Sequence, residues 1–291
     1  MALVTLRGGG LELDLCPRFG GAIARFRFRG HDLLRPSGTA LTEDRDPLAA
    51  SGFPLVPFSG RIENGRFSFG GEEHRLEPNF PPEPHAIHGQ GWQLPWEVVH
   101  AAEAFAELTL EHRVPATPLE WRARQTFELV DDGLIVGLTL TNAGDGPMPA
   151  GLGLHPYFPR TPAVALQARL AHVWLNDEGK IPRERVALPE TWDFSTPQEV
   201  NALEMDNCFA GWDGKAQIVW PEIAQRLTIE ADPLFGHLVI YIPQGADFFC
   251  VEPVSHASNG FNLHEAGVEG TGVRILEPGE TLESMVRFRV A

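Results

Sequence analysis

The sequence predicts an all-β protein, a large antiparallel β-sandwich forming a single domain over residues 1–291, and three observations carry that prediction. Apolar and polar residues alternate with period two in stretches spread from end to end, as half-buried strands require. Turn signals such as Asn142-Ala-Gly, Asp213-Gly, Pro243-Gln-Gly and Pro278-Gly recur roughly every ten residues. The 30 glycines and 25 prolines stand well above the usual ~12% combined share, which favours chain reversals over long helices.

The strands follow in chain order. In Ala24-Arg-Phe-Arg-Phe28 the apolar residues fall on one face and the arginines on the other. Residues 107–110 read as a further strand. Residues 126–130, the turn Asp131-Asp-Gly133 and residues 134–140 read as a hairpin, with Asp-Gly supplying the positive φ of a tight turn. Strands are also expected over 216–220, 226–230, 238–242 and 248–252, and Met285-Val-Arg-Phe-Arg-Val290 alternates like the first. No long stretch keeps a 3.6-residue apolar period, and no strands alternate with helices, so doubly wound and α/β-barrel folds are poor fits. Residues 36–57 and 76–95 break the strand rhythm and are expected to be long loops carrying binding groups.

Charge and cysteine usage narrow the partners. With 23 basic against 39 acidic residues the formal charge is −16, which repels a phosphate backbone or an anionic membrane surface. Neither nucleic acid nor membrane is an expected partner, and the oligomeric state is left open. Three cysteines without CxxC spacing fit a reducing compartment and read as core filler. The N-terminal residues lack the charged and apolar regions of a secretory signal, and a cytoplasmic location is expected.

Five segments carry groups capable of chemistry. Phe58-Ser-Gly-Arg61-Ile-Glu-Asn-Gly65 offers Arg61, either a surface ion-pair residue or a planar fork for hydroxyls or a carboxylate. His85-Ala-Ile-His88-Gly offers two histidines, readable as metal ligands, proton donor and helper, or solvated loop residues. His155, in Gly151-Leu-Gly-Leu-His155-Pro, follows a strand-like stretch that Pro156 is expected to end, and reads as a core residue or one facing a cleft. Asp206, in Met205-Asp-Asn-Cys, reads by default as a turn cap. In Phe248-Phe-Cys-Val-Glu252-Pro, apolar residues carry a carboxylate onto a buried strand end, where its pKa should rise and make it a better base. Trp92, Trp96 and Phe261 are candidates to face a sugar ring.

Taken in order, the Gly20-Gly-Ala-Ile strand, Arg61-Ile-Glu-Asn-Gly, His88-Gly, His155-Pro-Tyr-Phe, Asp206-Asn-Cys-Phe, Glu252-Pro and Pro278-Gly-Glu-Thr-Leu resemble the aldose 1-epimerase (galactose mutarotase-like) family over nearly the whole chain. The resemblance implies the galactose mutarotase-like supersandwich, a small-molecule sugar as partner, and no metal or organic cofactor. It implies an isomerase that interconverts α and β anomers of an aldohexose by opening and reclosing the ring. Glu252 matches the catalytic base and His155 the catalytic acid, with His155 expected to stay protonated or hydrogen-bonded. His88, Arg61 and Asp206 match substrate-binding residues. One departure is Gly60, where family members often have Asn before the arginine. Three alternatives accompany this reading. One is a hexose 6-phosphate mutarotase, with Arg160 and Arg274 as further cations. The second is a non-catalytic carbohydrate-binding protein on the same scaffold. The third is a metal enzyme using His85, His88 and His155.

Overall fold

A computed structural model describes residues 3–43 and 46–291. Met1 and Ala2 of the N-terminal stretch, and Asp44 and Arg45 of the 36–57 stretch, lie outside the described residues. One antiparallel sheet has the strand order Val4–Gly8, Leu11–Cys16, Ala22–Phe28, Gly52–Leu55, Gly153–Pro159, Phe248–Val254, His237–Ile242, Met205–Ala210, His172–Asn176 and Pro182–Ala187, with His31–Asp32 added to the third strand. The other runs Glu97–Ala101, Phe105–Arg113, Glu120–Val130, Gly133–Asn142, Thr281–Val290, Gln225–Ala231, Lys215–Trp220, Ala165–Ala168 and Gln198–Glu199. Among the described residues, no helix is long and apolar enough to cross a membrane.

Alternation builds the core. In Glu120–Val130, Trp121, Ala123, Phe127 and Leu129 are buried while Arg122 and Glu128 are exposed. Phe26, Phe158, Phe249, Val251 and Ile240 of the first sheet join Phe127, Val136, Leu138 and Phe288 of the second in one continuous apolar cluster. The neighbouring residues Tyr157, Cys250, Val239 and Tyr241 point to the opposite face and belong to a second cluster with Phe53, Trp92 and Cys208. The central strands are therefore covered on both sides, and six of the seven residues of Phe248–Val254 are buried. A polar residue on the second face of these strands is buried without being in the sandwich core.

Every strand expected from alternation is present, and most are longer than the pattern alone marked. The hairpin forms with Asp131 and Asp132 as its two-residue turn, since Val130 pairs with Gly133. The glycine thus begins the next strand instead of supplying the turn. A Cβ there would lie 1.9 Å from the Phe288 carbonyl oxygen, which is why the position excludes a side chain. Three expectations are corrected. Pro156 does not end its strand, which continues to Pro159, because Pro156 stands opposite Gly52 where the chain leaves one neighbour. The 36–57 stretch is no continuous loop, for it contributes the strand Gly52–Leu55. Asp206 is no turn cap but a strand residue facing Tyr241.

Candidate active site

Pairing across the first sheet delivers two rows of side chains to the face away from the second sheet. Phe53 pairs with His155, Glu252 with Val239, and Val239 with Cys208. Two residues along, Tyr157 pairs with Cys250, Cys250 with Tyr241, and Tyr241 with Asp206. Residues two apart on a strand share a face, so His155 with Tyr157, Cys250 with Glu252, and Asp206 with Cys208 all reach the same side. Apart from the fully buried Cys250, these rows form part of the lining of a cavity of about 430 Å³, closed elsewhere by Arg35, Arg61, Phe80, Glu83, His88 and Lys180. The cavity brings together all five residues selected in the sequence: Arg61, His88, His155, Asp206 and Glu252.

His155 Nε2 lies 3.3 Å from Glu252 Oε1. Burial pushes the Glu252 carboxyl well above the ordinary carboxylate range, the Asp206 charge adds to this, and Arg61 opposes it. Burial also pulls the His155 imidazole down to about 3, with the Arg35 charge acting in the same sense. Both shifts favour uncharged forms, so the resting pair is a carboxylic acid beside a neutral imidazole, sharing one transferable proton. Of the expectation that His155 is protonated or hydrogen-bonded, burial disfavours the first alternative and the approach to Glu252 fits the second.

His88 stands edge-on to His155, with ring centroids 5.2 Å apart. Its Nδ1 accepts the Gly60 main-chain N–H at 3.1 Å, while the His88 N–H donates to the Gly60 carbonyl at 2.8 Å. Burial, chiefly, holds its pKa well below the usual histidine value, so His88 is neutral and its proton sits on Nε2. Gly60 has φ of +66°, and a Cβ there would come within 2.7 Å of Ser258. The departure from Asn at this position thus belongs to a backbone held against Ser258, whose hydroxyl accepts the Arg61 N–H at 2.8 Å.

Arg61 and Ile62 pair with Ile87 and Ala86, which sets the arginine beside His88. Its Nη2 donates to Glu83 Oε1 at 3.2 Å and lies 3.7 Å from Asp206 Oδ2, while its buried Nε has no protein partner. Asp206 also meets Lys180 Nζ at 2.8 Å. Two carboxylates and two cations thus hold one another at this end of the cavity.

Other expectations meet different outcomes. Trp92 lines the cavity, but its indole N–H is spent on the Ile87 and Gly89 carbonyls, and Trp96 and Phe261 are core residues. His85 accepts the Asn64 N–H on Nδ1 and does not line the cavity, so no His85, His88, His155 triad is assembled. Arg160 is tied to Asn201 and the Pro243 carbonyl, and Arg274 lines a separate surface hollow. Among the described residues, the group with metal-ligand spacing is His155, Cys250 and Glu252, whose ligand atoms lie within 4.8 Å of one another. Burial and the neighbouring Glu252 push the Cys250 thiol well above its usual value.

Arg35, Lys180, Glu83, Tyr157 and Tyr241 were not selected by the sequence argument. Tyr157 lies within the quoted stretch His155-Pro-Tyr-Phe, the other four lie outside the quoted motifs, and only the folded sheet gathers them. Lys180 closes the turn Asp177-Glu-Gly-Lys180, where it adopts φ of +59°.

The family model described as aldose 1-epimerase matches residues 2–289. The chain is 36% identical over 301 residues to the uncharacterized protein YphB of Escherichia coli K12, covering 100% of this chain and 99% of that one. It is 26% identical over 275 residues to the uncharacterized protein YihR of the same organism, covering 90% and 84%. A crystallised E. coli K12 protein, provisionally named an aldose 1-epimerase, superposes with a TM-score of 0.91 at 34% identity, covering 100% of this chain and 99% of the other. A galactose mutarotase-like protein from Clostridium acetobutylicum shares the fold at a TM-score of 0.84 and 20% identity, covering 99% and 94%. With its sandwich, its cavity and these matches over nearly all its length, the chain belongs to the aldose 1-epimerase family.

Proposed function

We propose that this protein is an aldose 1-epimerase that interconverts the α and β anomers of an aldohexose, with Glu252 and His155 as its proton-exchanging pair. The observation that carries the reading is the 3.3 Å approach of His155 Nε2 to Glu252 Oε1 on a buried wall of a sugar-sized cavity. Ring opening requires loss of the proton on O1 and gain of one on O5, the two oxygens bonded to C1. A pair of groups with one transferable proton between them suffices for both transfers.

The sequence of steps balances. As the sugar binds, the shared proton moves from Glu252 to His155, giving a carboxylate and an imidazolium. Glu252 then takes the O1 proton while His155 delivers its proton to O5, and the C1–O5 bond breaks. The product is the open aldehyde beside a carboxylic acid and a neutral imidazole. Rotation about C1–C2 presents the other carbonyl face, and the same transfers run backwards. Burial disfavours the charged pair, so it favours both transfers of the opening direction, one proton from O1 onto Glu252 and one from His155 onto O5. Each well-placed transfer contributes roughly 10²–10⁴-fold. His88 Nε2–H donates on the ring-oxygen side, and Arg61 and Asp206 hold hydroxyls.

The test is anomer interconversion followed by polarimetry or NMR exchange. Acceleration by the wild-type protein and its loss in Glu252→Gln and His155→Asn support the reading. Sugar binding by calorimetry without acceleration would instead favour a non-catalytic carbohydrate-binding protein.

A further inference from the structure

The charges around the cavity do not cancel. Arg61 is answered by Glu83 and Asp206, and Lys180 by Asp206. Glu252 is occupied with His155. Arg35 is the remaining cation. Its Nη2 donates to the Leu48 carbonyl at 2.6 Å and the Ala50 carbonyl at 2.8 Å, and among the described residues it forms no ion pair. Main-chain carbonyls orient a guanidinium without neutralising it. In a chain of formal charge −16, an arginine lining the cavity without an ion-pair partner among the described residues needs an explanation.

Its position supplies one. The guanidinium carbon lies 4.1 Å from the centroid of the Tyr157 ring and 4.5 Å from that of Phe248. Tyr157 in turn stacks on His155 at 4.7 Å. Arg35 therefore sits at the Tyr157 end of the row Tyr157, Cys250, Tyr241, Asp206, opposite the Arg61, Asp206 and Lys180 cluster. Three strand spacings separate the row's ends, about 14 Å, enough for a pyranose and a substituent. With His155 facing O5, the atoms on its Arg35 side are those beyond O5, namely C5 and its exocyclic carbon. Clamped by two carbonyls and two aromatic rings, the guanidinium has little side-chain entropy left to lose on binding.

We propose that Arg35 determines specificity by binding an anionic group, a carboxylate or phosphate on the exocyclic carbon, so that the preferred substrate is an acidic hexose. This rests on the mutarotase reading and names its substrate class. The cation involved differs from Arg160 and Arg274, which sequence reasoning offered for a phosphate and which lie elsewhere.

The experiment compares kcat/KM for anomer interconversion, by NMR exchange, on glucose and galactose, their uronates and their 6-phosphates. Wild type is expected to favour one acidic class over its parent hexose by tenfold or more, and the class favoured tells carboxylate from phosphate. In Arg35→Gln this acidic-to-neutral ratio should collapse at least tenfold, mainly through KM, and Arg35→Lys should restore part of it. A wild-type ratio at or below one overturns the proposal, and so does a ratio that Arg35→Gln leaves unchanged. The latter would mark Arg35 as a pin for the 48–50 segment, a role that lowers both activities together. Acceleration of neutral but not acidic sugars would leave the mutarotase reading standing and remove this one. Failure with every sugar would remove both.

Discussion

Gly60 donates its main-chain N–H to Nδ1 of His88 at 3.1 Å, and this contact fixes which imidazole nitrogen carries the proton. The exchange is reciprocal, since the His88 N–H donates to the Gly60 carbonyl. Gly60 also precedes Arg61, so one glycine orients two side chains that line the cavity.

Gly60→Ala should therefore act on both stability and binding. The new Cβ would press on Ser258 from a left-handed backbone, costing about 1–3 kcal/mol. Urea unfolding should show that loss, and polarimetry a raised KM as Arg61 moves. An alanine variant with wild-type stability would contradict the strain assigned to this turn.

Glu252→Gln should lower kcat by roughly 10²–10⁴-fold yet raise the melting temperature near pH 8. The carboxyl is pushed upward in the folded state by burial, so its unfolded form ionises first. Rising pH above about 4.5 then favours unfolding until the raised folded value is passed, and a neutral amide escapes this penalty. His155→Asn should lose a similar factor in rate, and the double variant little more than either single, because the two groups act as one unit. Additive losses would show that they work independently.

Acid destabilisation should come from buried histidines. His155 is held at about 3, His237 and His256 at about 4, and His88 well below its usual value, in each case chiefly by burial. Depressed histidines protonate first in the unfolded chain, so stability falls as pH drops from about 6.5 toward 4. Each contributes a slope of roughly 1.4 kcal/mol per pH unit where only its unfolded form is charged. Denaturant midpoints between pH 7 and pH 5 should record the fall, and a flat profile would deny that these rings stay neutral when buried.

Arg61→Ala should raise KM by about 10–100-fold, as loss of a charged hydrogen bond to substrate predicts, with kcat changed much less. The two carboxylates it leaves, Glu83 and Asp206, also lose their shared cation, and Lys180 remains for Asp206 alone. Unchanged KM would take Arg61 out of the binding site.

Much of the fold was legible because alternation is a local property: a strand such as Thr281–Val290 shows its buried face in its own residues. The strands not expected include Val4–Gly8, Leu11–Cys16 and Glu97–Ala101, and two that serve the site. Gly52–Leu55 and Met205–Ala210 are covered on both faces or carry polar groups on the face that lines the cavity, so their residues do not alternate cleanly. Glu252 stood out for the converse reason, a lone carboxylate within an apolar run. His155, His88, Arg61 and Asp206 drew attention by residue type and by a family's order of motifs, yet each alone also admitted a bland reading.

By itself the sequence determined the β architecture and the inventory of acids, bases and cations, since hydrophobic period and residue chemistry are written along the chain. Only the tertiary structure decided that Glu252 and His155 touch, that both rest uncharged, and that Arg35 is left without a carboxylate among the described residues. Proton affinity and charge balance depend on the distance and dielectric between groups far apart in sequence, and these exist only once the strands have paired.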